Sequence, residues 1–369
     1  MLDKPGLYVH LPWCVRKCPY CDFNSHPLQD ETSRTAYTGA LLQEWACRAA
    51  GFSERPRFSS VFFGGGTPSL FQPESFAALL EVLPLQVGAE ITLEANPGAT
   101  EHADFAGYLD AGINRLSIGA QSFNNTSLQH LGRIHTAEEI RNTYHAAVAA
   151  GFENINVDLM WGLPKQTLDA ALFDLESTIS LCPAHISWYQ LTIEPRTEFA
   201  RRPPVLPLEE VLTDIETSGL AHLEASGYKR YEVSAFSRSK PCAHNLNYWR
   251  FGDYVGIGAG AHGKVRLDSE THRTENPRQP RLYLNDPSKQ LVTTVTEADL
   301  KLEFMLNVLR LKDGVEFETF QSTTGLSWDR VARDWQSLVE AGFVRSDRCA
   351  TTEFGYRYLD SVVGEFMPR

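Results

Sequence analysis

The stretch Tyr8-Val9-His10-Leu11-Pro12-Trp13-Cys14-Val15-Arg16-Lys17-Cys18-Pro19-Tyr20-Cys21 holds three of the chain's seven cysteines, spaced C-x3-C-x2-C. Thiolates in short runs of this kind hold iron–sulfur clusters. The usual cluster takes four cysteine ligands, so three leave one iron free to bind something else. An open coordination position on a metal is where chemistry takes place. Two plainer readings compete. Half a zinc site would need a second Cys or His pair at finger spacing, and none follows. Ordinary buried thiols, packing as small hydrophobes, are the other; Arg16, Lys17 and the turn-forming Pro19 beside them argue against it.

Around this stretch, the chain of 369 residues exceeds a typical single domain, so one large domain and a smaller one are expected. Its formal net charge is −12, and no Lys/Arg run is long enough to track phosphates. This argues against nucleic acid as the main partner, and acidic membrane surfaces are disfavoured for the same reason. No apolar leader precedes the cysteines, and no apolar run reaches the roughly 18 residues of a membrane span. The expectation is a soluble, cytoplasmic protein with no integral membrane segment. An odd cysteine count with a tight triplet speaks against a secreted disulfide framework. Cys47, Cys182, Cys242 and Cys349 are scattered, and most read as inert.

After the triplet, a helical pattern over 32–50 stops at Gly51. Strand-then-helix units follow: 57–63 bounded by Gly64-Gly65-Gly66-Thr67-Pro68, then 90–95 with 103–111, 115–120 with 137–150, 154–160 with 168–181, and 185–193 with 209–226. With 6–11 as the opening strand there are six. Alternation of this kind implies a parallel sheet with right-handed crossovers. Six units fall short of the eight of a full barrel, and a doubly wound open sheet would alternate in the same way. The residues that stand out chemically end successive strands: Gly64–Thr67, Glu94-Ala95-Asn96-Pro97, Gln121, Asp158 and Gln190. Barrels of this type take their functional groups from those carboxyl ends.

From about residue 297 the texture changes. Helical patterns over 301–311, 317–323 and 328–341 precede a hairpin pattern over 343–358, the outline of a winged helix. The segment 268–296, rich in Pro, Arg and Asn, reads as a connector.

Tyr8-x-His10-x-Pro12-x-Cys14-x3-Cys18-x2-Cys21 resembles the opening of radical S-adenosylmethionine (SAM) proteins of the anaerobic coproporphyrinogen oxidase family, and later motifs extend the likeness over nearly the whole chain. The resemblance implies an α/β fold: a partial (β/α)6 TIM-type radical SAM barrel over 1–236, a haem-motif loop and connector over 237–296, and a small C-terminal winged-helix-like domain over 297–369. It implies a [4Fe-4S] cluster on Cys14, Cys18 and Cys21, with S-adenosyl-L-methionine at the open iron and an electron donor to reduce it.

Gly64-Gly65-Gly66-Thr67-Pro68 suits close backbone approach to a ligand, although a tight strand-to-helix turn would read the same. Glu94, ending an apolar strand, is costly to bury without a cationic or hydrogen-bonding partner. The resemblance assigns adenosylmethionine contacts to Tyr8, Tyr20, Gly65, Gly66, Thr67, Glu94, Gln121, Arg133 and Asp158. It rests on Gly119-Ala120-Gln121-Ser122, Gly132-Arg133-Ile134-His135 and Asp158-Leu159-Met160-Trp161-Gly162-Leu163-Pro164. A structural ion pair is the alternative for Arg133 and Asp158.

Further on, Cys242-Ala243-His244-Asn245-Leu246-Asn247-Tyr248-Trp249 offers an imidazole and flat rings, which suit a porphyrin and its iron. Packed core residues are the alternative. Its H-N-x-x-Y-W pattern resembles the signature of the family's haem-binding branch, and makes His244, Asn245, Tyr248 and Trp249 haem-binding candidates, with Cys242 a weaker one. Gly258-Ala259-Gly260-Ala261-His262-Gly263 matches G-x-G-x-x-G but lacks the context of a dinucleotide site, and is expected to line the same pocket. Cys182-Pro183 reads as helix-end packing.

Oxidases of the family carry a further cysteine two residues past the triplet, where this chain has Phe23, and a longer N-terminal arm. The resemblance therefore implies a haem-binding chaperone that passes haem to an acceptor protein. Oxygen-independent decarboxylation of coproporphyrinogen III is the alternative. A DNA-binding regulator is disfavoured because 328–341 mixes Asp329, Asp334 and Glu340 with Arg330 and Arg333, leaving no basic face. The small domain is expected to cover the barrel mouth.

Overall fold

A computed structural model describes residues 4–28, 32–52, 56–97, 104–267 and 270–367. Six strands, β1 (Gly6–Leu11), β2 (Phe58–Gly65), β3 (Leu85–Ala95), β4 (Arg115–Gln121), β5 (Ile155–Trp161) and β6 (His185–Gln190), are parallel neighbours in chain order. That succession decides between the two architectures open at the sequence level. A doubly wound sheet reverses its strand order at a switch point, whereas here every strand adds to the same side, as in a barrel.

The sheet stays open. Antiparallel β7 (Lys229–Glu232) and β8 (Ala235–Ser237) extend it beyond β6. At the other end β9 (Tyr254–Ile257) pairs in parallel with β1 and leads into antiparallel β10 (His262–Leu267), β11 (Glu270–Glu275) and β12 (Leu291–Thr294). The full order is β12-β11-β10-β9-β1-β2-β3-β4-β5-β6-β8-β7.

Side chains alternate across a strand, and both faces are legible. One face carries Leu7, Val9, Val61, Phe63, Leu93, Leu116, Ile118, Val157 and Leu159, all fully buried in a core that includes Tyr37, Leu41, Phe76, Ile140 and Leu175 of the helices. Each such aliphatic burial contributes about 1.5–3 kcal/mol. The intervening positions, Tyr8, His10, Ser60, Thr92, Glu94, Ser117, Asn156 and Asp158, are polar. The strands therefore line an interior furnished for ligands.

Several expectations need correction. The 268–296 connector is sheet: β11 and β12 pair in register, as in Arg273↔Thr293, with the short helix Pro280–Asn285 between them. Residues 268 and 269 lie outside the described residues, as does Ala103, the expected start of the helix found at Phe105–Asp110. The haem-motif loop is a helix, Ala243–Trp249, whose first N–H groups donate to the Glu90 carboxylate. In the C-terminal region, helices span Glu297–Val308, Glu318–Thr324 and Ala332–Glu340, but the expected hairpin reduces to one bridge, Val344↔Thr351. Thr352 then caps a helix at Glu353–Arg357 by accepting from the Gly355 N–H, so the returning strand cannot continue.

This region has its own core around Phe304, Val308, Phe320 and Trp335. It docks on Leu246, Trp249 and Phe251 and through the Arg310–Glu232 ion pair, at 3.1 Å. It therefore stands against the 243–249 helix and β7. Among the described residues it contributes none to the mouth where the cysteines lie, contrary to the expectation, since its contacts are with the 243–249 helix and β7.

Candidate active site at the carboxyl ends of the strands

The cysteine loop is anchored at both ends. The Gly66 and Thr67 amides donate to the Leu11 and Trp13 carbonyls, each at 2.7 Å. A Cβ on Gly66 would stand 2.5 Å from the Trp13 carbonyl oxygen, and one on Gly65, whose φ is +117°, would stand 2.5 Å from the His10 ring. Only glycine fits there. At the far end of the loop, Asn24 donates to the Ala259 and Arg278 carbonyls at 2.9 and 2.8 Å, while its own carbonyl meets His10 Nε2 at 2.8 Å. The Gly258–Gly263 run thus braces the loop from behind. It does not line the pocket, contrary to the expectation, because Gly260 packs against Asn24.

All three thiols open onto one cavity of about 450 Å³, well within the range of ligand sites. Thr67 Oγ1 donates to Cys14 Sγ at 3.6 Å, and Arg133 Nη1 to Cys18 Sγ at 3.7 Å. Arg133 is itself oriented by the Gly119 carbonyl at 2.7 Å and Asn96 Oδ1 at 3.1 Å. Burial pushes the Cys14 and Cys21 thiols up, and hydrogen bonds from Thr67 and the Phe23 backbone oppose it. No disulfide forms, and among the described residues no three His, Cys, Asp or Glu side chains converge on a single-ion site. Thiols spread around a shared space, with donors aimed at the sulfurs, would suit a polynuclear cluster rather than a single ion.

The cavity wall facing the thiols carries Tyr20, Gly65, Gly66, Thr67, Glu94, Gln121, Arg133 and Asp158. Glu94 accepts from the Gly65 N–H at 3.1 Å, and burial together with the neighbouring Asp158 raises its carboxyl to about 7. Two buried acids in one cavity, each with its carboxyl raised by burial, suit a cationic ligand. Gln121 sits at a φ of +67°, rare for a residue with a side chain, and accepts from Tyr189 at 2.7 Å. Tyr8 stands one step back: its hydroxyl meets His10 Nδ1 at 3.0 Å, its ring stacks on Phe62, and it does not line the cavity.

The haem candidates lie elsewhere. His244 is buried against the inner face of β2, with Nδ1 at 2.9 Å from Ser60 Oγ, its ring stacked on Phe62 at 5.1 Å and edge-on to Tyr248 at 4.8 Å. Burial, then Arg115, lowers its pKa to about 3, and Nε2 has no partner among the described residues. Cys242 donates to Glu90 at 3.2 Å, and burial raises its pKa to about 12. Trp249 faces the C-terminal core with Arg310 over its ring at 4.3 Å, and Asn245 reaches Tyr231 at 3.5 Å. None of these five residues lines the cysteine cavity.

Sequence reasoning missed Ser117 and Tyr189 on the cavity wall, and Asn156 and His185 beneath it. The signal was present as polar residues recurring at alternate positions of otherwise apolar strands, broken at Phe62, Gly119 and Met160.

Residues 8–175 match the model of the radical SAM superfamily, and residues 295–349 that of the HemN C-terminal domain. The haem chaperone HemW of Haemophilus influenzae is 44% identical, the alignment covering 99% of this chain and 98% of that one. HemW of Escherichia coli is 43% identical, with 99% of each chain covered. The chain belongs to the HemW family of radical SAM proteins. A mitochondrial radical SAM domain-containing protein of mouse is 39% identical, covering 99% of this chain and 88% of its own. Among solved structures, the coproporphyrinogen III oxidase HemN of E. coli superposes with a TM-score of 0.82 at 24% identity, over 99% of this HemW-family chain and 90% of its own. That match establishes a shared radical SAM α/β fold.

Proposed function

We propose that this chain is a haem chaperone that carries a [4Fe-4S] cluster on Cys14, Cys18 and Cys21, binds S-adenosyl-L-methionine beside it, and hands haem to an acceptor protein. The observation that carries the reading is the opening of all three thiols onto the cavity that also holds Glu94, Gln121, Arg133 and Asp158. Full-length relatives named as haem chaperones support the same conclusion. When bound, the cluster supplies an open iron to chelate the amino acid end of adenosylmethionine and an electron that can cleave its sulfonium.

This chain's residues do the rest. Thr67 and Arg133 donate to the sulfurs and stabilise their negative charge. The Gly65–Gly66 backbone leaves room for the ligand's amino group. Glu94 gains a cationic or hydroxyl partner and becomes fully ionised on binding. Asp158 faces the same space, Gln121 is fixed by Tyr189, and Tyr20 walls the side. An electron donor is required. The seven cysteines, all free thiols, suit a reducing compartment such as the cytoplasm.

For haem, His244 keeps one ring nitrogen unspent, as iron ligation requires. Phe62 and Tyr248 cover the ring, so haem at His244 requires the 243–249 helix to lift from β2. Anaerobic reconstitution with iron and sulfide, followed by haemin titration, tests the reading: a Soret shift that His244→Ala abolishes is expected. Conversion of coproporphyrinogen by the reduced protein with adenosylmethionine would replace it with the oxidase reading.

A further inference from the structure

One hydrogen-bonded path crosses the barrel interior from the cavity to the haem-motif helix, and the chemistry of its members fixes the direction of every bond. The Asn156 amide donates to Asp158 Oδ1 and to Ser117 Oγ, both at 2.8 Å, and Ser117 donates to Asp158 Oδ2 at 3.0 Å. Both Asn156 protons are then spent on the cavity side. Its Oδ1 must accept, from Ser187 at 3.1 Å and from His185 Nδ1 at 2.6 Å. His185 therefore carries its proton on Nδ1 and presents a lone pair at Nε2, which accepts from the Tyr231 hydroxyl at 2.7 Å. The Tyr231 oxygen in turn accepts from Asn245 Nδ2 at 3.5 Å.

Every donor thus points toward the Asp158 carboxylate, and aligned bonds of this kind strengthen one another. His185 is fully buried, and burial keeps its ring neutral, as this tautomer requires. The far end is not passive. The Tyr231 carbonyl accepts from the Lys312 N–H at 3.0 Å, its neighbour Glu232 pairs with Arg310, and Asn245 belongs to the helix that the C-terminal core grips.

We propose that Asn156, His185 and Tyr231 are positioning residues that link occupancy of the cavity to the 243–249 helix, so that a cationic ligand beside Asp158 fastens the helix to the barrel. This rests on the adenosylmethionine reading of the cavity. Glu94 and Asp158 repel each other's charge. A cation between them keeps Asp158 ionised and strengthens its pull on the whole path. Because haem at His244 requires the helix to lift, ligand in the cavity and haem at the helix oppose each other, and by linkage each weakens the other by the same factor.

The test is amide hydrogen exchange of residues 243–249 in the cluster-reconstituted full-length protein, with and without adenosylmethionine, while bound adenosylmethionine is measured by equilibrium dialysis. Adenosylmethionine is expected to slow exchange of the helix at least fivefold. Tyr231→Phe keeps the ring and removes the donor, and should bind the ligand yet lose the slowing. His185→Gln, which can still donate to Asn156 and accept from Tyr231, should retain much of it and guards against a fold defect in the first variant. Ligand bound with no change in helix exchange overturns the proposal, as does an equal change in Tyr231→Phe. No bound ligand removes the cofactor reading and this inference with it. Haem affinity, measured in parallel, should fall about fivefold with adenosylmethionine in the unaltered protein and not in Tyr231→Phe. Absence of haem binding counts against the chaperone reading alone, because the exchange measurement does not depend on haem.

Discussion

The two ends of the barrel interior bury charge-bearing groups in opposite ways. At the cysteine end Glu94, with one backbone donor and a repelling Asp158, is held protonated up to about pH 7. At the other end His244, enclosed by Phe62, Tyr248 and Ser60, is held neutral down to about pH 3. One end lacks a partner that a ligand can supply. The other is filled by the protein's own rings. Binding capacity and packing have been assigned to different ends of one cavity-lined sheet, and each end should fail in its own way.

The largest effect is expected at the thiols. Replacing any of Cys14, Cys18 or Cys21 by Ser should remove essentially all cluster iron and sulfide on anaerobic reconstitution, read as loss of the broad visible absorbance, because each holds a separate corner. Next comes the packed end: His244→Ala removes a buried ring and strands Ser60. It should lower unfolding stability by about 2–4 kcal/mol in denaturant titration.

The pH dependence of the cluster-free protein sharpens the contrast. Glu94 has a folded value above its unfolded one, so it binds more protons when folded. Its contribution is present below about pH 4.5 and lost as pH rises toward 7. His244 has the reverse sign: its contribution is present above about pH 6.5 and lost as pH falls toward 3. Glu94→Gln should therefore flatten the neutral-side slope, by about 2 kcal/mol between pH 5 and 8, and leave the acid side unchanged. Equal slopes in the variant and the parent would show that the acid is not buried as described. The smallest effect belongs to Cys242. Its thiol donates to Glu90 and meets the Asn245 backbone, both of which a hydroxyl can do, so Cys242→Ser should cost less than about 1 kcal/mol and leave any haem spectrum unaltered.

How much of this could be read beforehand differs between the ends as well. Cys14, Cys18, Cys21, Glu94, Gln121 and Asp158 were legible because chain order alone puts strand ends on one rim. The winding direction was not, since local alternation is the same for both architectures and only the pairing of β1 with β2 through β6 separates them. Residues 268–296 were misread as a connector because Pro and Asn mask two strands that are held by pairing, β11 on β10 and β12 on β11. The burial of His244 was legible only as the alternative to haem binding: a helix that packs between β2 and the C-terminal core has the same sequence as one that displays its histidine. The polar path through Asn156 and His185 depends on side chains from different strands meeting at one height, which a single sequence does not specify.

The bracing of the cysteine loop has a consequence for biosynthesis. Asn24 is made early, but the carbonyls that hold it, at Ala259 and Arg278, come 235 and 254 residues later. On the ribosome the three thiols emerge more than two hundred residues before the carbonyls that brace their loop, and wait unbraced until then. A nascent chain is thus a soft, premature sink for metal or oxidant, and iron delivery is best timed to follow chain release.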